Sequence, residues 1–201
     1  MAYTNYESIS DVAEKFGITF SKDEFLSKKE FKINEYFLKK IKRKVKNNIN
    51  YVSEAAICEN LISPIITELA EENNLEIWSH IEFNYDDDLK GIPDYLIGTA
   101  KKDMTTIKTP VLCLSEAKKD NFIKGWGQVS AEMVAAQKIN AKDKINITVY
   151  GLVSNGLLWQ FGKLKDNDFV IDPNSYALPT QIQDLFDILN WFFGECKNNA
   201  K

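Results

Sequence analysis

Two apolar runs, residues 92–98 and 110–117, constrain this chain more than any other feature. Each reads as a buried strand, and each carries a carboxylate where such a strand should avoid one. Asp94 lies in the first run, Glu116 ends the second, and Lys118 follows two residues later. Burying a charge is costly unless it is paired or binds a metal. If the runs form a hairpin, paired positions sum to about 209, which sets Asp94 opposite Ser115 or Glu116. Cross-strand neighbours have Cβ atoms ~4.5–5.5 Å apart. Glu116 and Lys118 are two apart and share a face. One end of the hairpin should therefore collect Asp94, Glu116 and Lys118.

Two carboxylates this close repel, so either one is protonated or a cation sits between them. An all-oxygen pair suits a hard cation such as Mg²⁺, with Mn²⁺ as substitute. Such an ion can polarise a phosphoryl oxygen and acidify a water, and the lysine can orient that water or offset developing charge. The competing reading makes both residues ordinary strand-end charges, with Glu116 simply paired to a lysine.

The remaining pattern surrounds this hairpin with helices. Residues 1–50 read as an N-terminal helical extension, with a short helix ending at Gly17 and a lysine-rich stretch bearing Phe31, Ile33, Phe37, Leu38, Ile41 and Val45 at helical spacing. Lys28–Lys46 holds nine basic and two acidic residues, which fits either a phosphate-contacting face or the solvated side of an amphipathic helix. "DVAEKFGITFSKDEF" has a faint helix-turn-helix pattern, but Asp23 falls where its second helix needs an apolar residue. Residues 51–201 should form one further domain. Ser53 caps a helix with a stripe of Ile57, Cys58, Leu61, Ile62, Ile65, Ile66 and Leu69, which Pro64 should kink. A strand over "LEIWSHIEFNYD", the two apolar strands, a small-residue helix at "GWGQVSAEMVAAQKIN", a hairpin turning at Asn155-Gly156, a further short strand at "DFVID" and a strongly apolar last helix follow. This order predicts an α/β fold with a central mixed sheet flanked by helices.

"IPDY" at 92–95 and "EAK" at 116–118, in that order and on those strands, resemble the PD-(D/E)XK nuclease superfamily. "SEAAICENLISP", with Glu54 ten residues before Pro64, is similar to the helix that opens the nuclease domain of type I restriction enzyme motor subunits. "GWGQ" places Gln128 in the first turn of the following helix, and "VYGLVSNGLLWQFGKL" is like the tail of such domains. The resemblance covers about residues 51–165. It implies a restriction-endonuclease-like core acting as a Mg²⁺-dependent DNA nuclease in restriction, defence, repair or mobile-element processing. Asp94 and Glu116 would be metal ligands, Glu54 would complete the metal site, Lys118 would assist the attacking water, and Gln128 would hold the lysine, a water or a phosphate. Gln137, nine residues on, lies ~14 Å further along the helix axis and is the weaker candidate. The chain has no G-x-x-x-x-G-K-[ST] loop, so it lacks the motor of those subunits. Its substrate must be chosen by the domain itself, a homodimer partner or another protein. A catalytically silent nuclease-like module for nucleic-acid binding or complex assembly is the alternative.

Charge is informative mainly by exclusion. The net charge of −4 gives no global attraction to nucleic acid, and Arg43 is the only arginine, which disfavours a reader of long guanine-containing sites. Cys58, Cys113 and Cys196 have neither disulfide-framework nor metal-ligand spacing, no secretory signal is visible, and no run approaches a membrane span, so a reducing cytoplasm is expected. His80 reads as a partly exposed mid-strand residue and Asp86–Asp88 as a turn. Lys119 and Lys124 could contact phosphates or be solvated, and Trp126 reads as core more readily than as a base-stacking platform. The last helix, with Phe186, Leu189, Trp191, Phe192 and Phe193, exceeds one apolar stripe and implies deep burial or a dimer contact.

Overall fold

The computed structural model describes residues 2–99, 109–118 and 121–200. Its centre is a mixed eight-stranded sheet comprising β1 (Thr19–Lys22), β2 (Leu75–Ser79), β3 (Tyr95–Thr99), β4 (Val111–Ala117), β5 (Val149–Ser154), β6 (Leu158–Lys165), β7 (Asp168–Ile171) and β8 (Tyr176–Ala177). The strand order is β1-β7-β6-β5-β4-β3-β2, with β8 on β6. β4–β5 and β1–β7 pair parallel, and the other neighbours are antiparallel. A parallel pair needs a long crossover, and α5 (Phe122–Lys142) supplies it between β4 and β5.

Two apolar cores lie against the sheet. One joins α2 (Glu35–Val45), the helix running through α3 (Glu54–Ile57) and α4 (Ser63–Glu72), and α6 (Ile182–Asn199), through residues such as Ile41, Ile66, Leu69, Phe186 and Phe192. The other joins α1 (Ile9–Phe16) and α5, through Val12, Trp126, Val129 and Met133. Side chains of this size contribute about 1.5–3 kcal/mol each when fully buried, so both faces of β3 and β4 are anchored. Phe186, Leu189, Phe192 and Phe193 are all buried within the chain, which accounts for the apolar excess of α6 without a partner.

Several local expectations are corrected. Residues 1–50 contribute a strand as well as helices: β1 pairs with β7 at the sheet edge, where a second helix would complete a helix-turn-helix. The helix drawn through Phe31 and Ile33 begins only at Glu35, because the Asn34 side chain caps it by accepting from the Tyr36 and Phe37 amides. Phe31 is instead held by its N–H donating to Asp187 Oδ1 at 2.9 Å. β2 stops at Ser79, so His80 is not mid-strand. It follows the strand in a left-handed conformation, φ 52°. Pro64 causes no break in its helix. A π-helical turn over Cys58–Ile62 precedes it, and the Ser63 N–H donates to Cys58 O. This wider turn makes room for a residue that cannot donate and whose ring crowds the carbonyl four residues back.

Candidate active site

The two carboxylates meet where β3 begins and β4 ends. Tyr95 pairs with Ser115, Leu96 with Leu114 and Ile97 with Cys113, so the same register puts Asp94 beside Glu116. The ladder shifts by one only at Gly98, away from this end. The Ala117 N–H donates to Asp94 Oδ2 at 2.7 Å, and the Asp94 N–H reaches Glu116 Oε1 at 3.4 Å. Each carboxylate is thus tied to the other's strand.

Lys118 and Glu54 complete the group. Lys118 Nζ donates to Glu116 Oε2 at 3.1 Å and lies 3.9 Å from Glu54 Oε2. Glu54 arrives from the first turn of α3, where Ser53 Oγ accepts the Ala56 N–H and fixes the helix start. Lys118 depends on a glycine: a Cβ at Gly125 would stand 2.9 Å from Lys118 Cγ and 2.7 Å from Val153 Cγ1. The first turn of α5 can pass the lysine stem only because that Cβ is missing.

Gln128 lies one turn beyond Gly125 on α5 and is 6% exposed. Its side chain makes no hydrogen bond to Lys118 or to either carboxylate among the described residues, so the structure does not join it to the group. Gln137 donates to Leu164 O, away from these residues. Lys124 pairs with Glu7 at 2.7 Å, Lys119 lies outside the described residues, and Trp126 is buried with its Nε1–H donating to Gln160. The Asp86 carboxylate accepts the Asp88 and Leu89 amides in a turn. A separate cleft lined by Phe20, Phe122, Trp126 and Gln160 contains none of the clustered carboxylates.

Sequence reasoning missed Glu132. It is fully buried on α5, and neither oxygen has a hydrogen-bond donor among the described residues. Burial, then the charge of Glu116, raises its pKa well above the usual carboxylate range. A protonated Glu132 becomes a donor to Glu116 through its single O–H, which satisfies one of its two oxygens and removes the cost of a second buried charge. Burial and then Asp94 push Glu116 itself up to about 7. Burial likewise raises Asp94, against the pull of the Ala117 amide and Lys118. For Lys118, burial favours the neutral amine, but Glu116, Glu54 and Asp94 outweigh it and hold the side chain as an ammonium. The only available signal for Glu132 was a lone acid within the small apolar run Val129–Ala136.

His80 and Cys58 also border the group. His80 Nε2 is 3.5 Å from Asp94 Oδ1, and the His80 N–H donates to Asp94 O at 3.1 Å. Cys58 lies one turn along from Glu54 and is buried, which pushes its thiol up to about 12, with Asp94 adding to the shift.

The donor set fits a hard divalent cation. Asp94 and Glu116 offer adjacent oxygens; burial raises both pKa values, the Asp94 charge adds to the rise at Glu116 and the Glu54 charge to that at Asp94, and a cation would favour the ionised forms. No protein-family model matches the chain, and no curated protein matches it. Among the described residues, no helix is long and apolar enough to cross a membrane.

Proposed function

We propose that this chain is a metal-dependent phosphodiesterase acting on DNA, with a restriction-endonuclease-like core. The observation carrying this reading is the contact of Asp94 with Glu116 at adjacent strand ends, with the Lys118 ammonium 3.1 Å from Glu116. Asp94 and Glu116 would hold Mg²⁺, with Glu54 completing the site through water. When bound, the cation neutralises charge on the scissile phosphate and leaving oxygen and eases deprotonation of a water. Lys118 is held protonated, so it acts as a hydrogen-bond donor. It orients the attacking water and offsets charge developing on the phosphoryl oxygens during in-line displacement. Glu54 faces solvent and can accept the proton that this water loses. Glu132 holds its own proton toward Glu116 and fixes that carboxylate from behind.

The choice of DNA rests on charge beside the site. Lys44 Nζ donates to Asn60 Oδ1 at 3.2 Å, tying the lysine-rich helix α2 to the helix that carries Glu54. Its cationic face supports a polyanionic substrate despite the overall charge of −4. A second reading has its own observation: Lys118 neutralises Glu116 and His80 approaches Asp94, an arrangement that also suits a silent nucleic-acid-binding or assembly module.

Purified protein incubated with supercoiled plasmid, linear duplex and single-stranded DNA, in Mg²⁺, Mn²⁺ or EDTA, separates the two readings. The phosphodiesterase reading expects metal-dependent cleavage that falls at least about 100-fold in Asp94→Ala and Lys118→Ala. Equal cleavage by wild type and both variants overturns it. DNA retardation without cleavage, in every metal, favours the silent module.

A further inference from the structure

One oxygen of Asp94 is already committed to the Ala117 N–H, at 2.7 Å from Oδ2. The other, Oδ1, lies 3.5 Å from His80 Nε2, and the carboxyl has a second neighbour that no hard-cation site would choose. A sulfur of Cys58, an imidazole nitrogen of His80 and a carboxylate oxygen of Asp94 all lie within 4.8 Å of one another. Tetrahedral Zn²⁺, with bonds of 2.0–2.3 Å, has ligand atoms roughly 3.3–3.8 Å apart. The His80 Nε2–Asp94 Oδ1 separation is already 3.5 Å, and the sulfur needs to close on its two neighbours by about 1.3 Å at most to reach a tetrahedral spacing of roughly 3.5 Å.

The scaffold holds these ligands in place. The His80 N–H donates to Asp94 O, so two of the three ligand backbones are hydrogen-bonded to each other. His80 keeps the left-handed conformation, φ 52°, that brings it back over the end of β3. Cys58 is the residue from which the π-helical turn starts, and such turns recur at functional sites. Three protein ligands with a solvent-facing imidazole leave a fourth position for water, the pattern of an open zinc site. Thiolate and imidazole favour Zn²⁺ over Mg²⁺, which prefers oxygen donors in octahedral geometry.

We propose that Cys58, His80 and Asp94 form a Zn²⁺ site, and that its occupation and that of the Asp94–Glu116 site exclude each other through Asp94 Oδ1. The exclusion, but not Zn²⁺ binding itself, rests on the phosphodiesterase reading. Zn²⁺ then acts as an off-state ligand: it withdraws Asp94 from the hard-cation site and leaves Glu116 and Lys118 paired with each other.

Cobalt(II) substitution tests this on the intact, EDTA-treated chain. Wild type should bind one Co²⁺ with a sulfur-to-cobalt charge-transfer band, and Zn²⁺ should bleach that band. Cys58→Ala should lose it, and His80→Ala, at an exposed position where wild-type circular dichroism is the expected check of the fold, should weaken Co²⁺ affinity at least tenfold. No band in wild type overturns the site, and so does a band unchanged in both variants. Adding Mg²⁺ tests the exclusion. Apparent Co²⁺ affinity should fall as Mg²⁺ rises in wild type but not in Glu116→Gln, and Mg²⁺-independent affinity in wild type overturns the exclusion. Absence of Mg²⁺-dependent cleavage with the cobalt band intact overturns the phosphodiesterase reading alone and leaves the Zn²⁺ site standing.

Discussion

Replacing Glu116 by glutamine should abolish cleavage and yet make the protein more stable. The Glu116 carboxyl is 2% exposed and titrates near 7 in the folded chain, against 4.5 for an ordinary glutamate. Between these values the unfolded chain has released the proton and the folded chain keeps it. The unfolded state then binds fewer protons, so stability falls as pH rises, by ~1.4 kcal/mol per unit. Over the interval from 4.5 to about 7 the loss sums to ~3 kcal/mol, and it is complete above the folded value. Glutamine has no charge to bury and keeps an oxygen that can accept from Lys118. Relative to the variant, wild type should therefore lose ~3 kcal/mol from pH 4.5 to 7.5 in EDTA, or roughly 6–12 °C in melting temperature for a chain of this size. Denaturant melts of both proteins across that range, with and without Mg²⁺, read this directly. Mg²⁺ binds the ionised carboxylates and should recover part of the loss in wild type only. Parallel pH profiles for the two proteins in EDTA would refute the reasoning, because Glu116 would then carry no buried-charge penalty.

Other tests follow from neighbouring contacts. Gly125→Ala forces a Cβ to within 2.9 Å of Lys118 Cγ, and should lower kcat more than it raises KM, at a stability cost of about 1–3 kcal/mol by thermal melt. Asn190 is buried, accepts from Asn73 and donates to the Lys29 and Glu30 carbonyls. Asn190→Leu should therefore cost about 1–3 kcal/mol by urea titration and speed amide exchange near residue 31. Glu132→Gln preserves a donor toward Glu116 and should keep most of the activity, whereas Glu132→Leu removes it and should lower kcat; equal rates would exclude a role for that proton.

The site was legible where the chemistry lay on one hairpin. The apolar runs marked two strands, and pairing numbers of about 209 followed from their spacing, which left Asp94 opposite Ser115 or Glu116; the observed register, with Tyr95 on Ser115, decides for Glu116. The start of the helix carrying Glu54 was legible from Ser53, whereas its place beside Lys118 was implied only by the resemblance. The rest depended on contacts that sequence does not carry locally. An alternating pattern ran on through Ile81 and Phe83, so nothing marked Ser79 as the end of β2 or turned His80 toward Asp94. Glu132 sits in a helix buried on nearly every side, where no polar face reveals which residue points at the sheet. β1 is four exposed residues paired with a strand about 150 positions later, and its pattern is indistinguishable from that of a loop.

The early part of the chain has a consequence for synthesis. Tyr3 donates to Phe83 O, Phe31 packs on Phe186, and β1 pairs only with β7. At ribosomal rates, Phe31 waits roughly 8–30 s before its partner on α6 is made. During that interval Phe31 lacks its native aromatic partner, and Phe20 waits for Phe169 on β7. Stalled nascent chains ending before residue 168 should remain open to protease throughout residues 19–34, and those that include α6 should close. The sheet edge closed by β1 thus waits for a partner strand about 150 residues downstream.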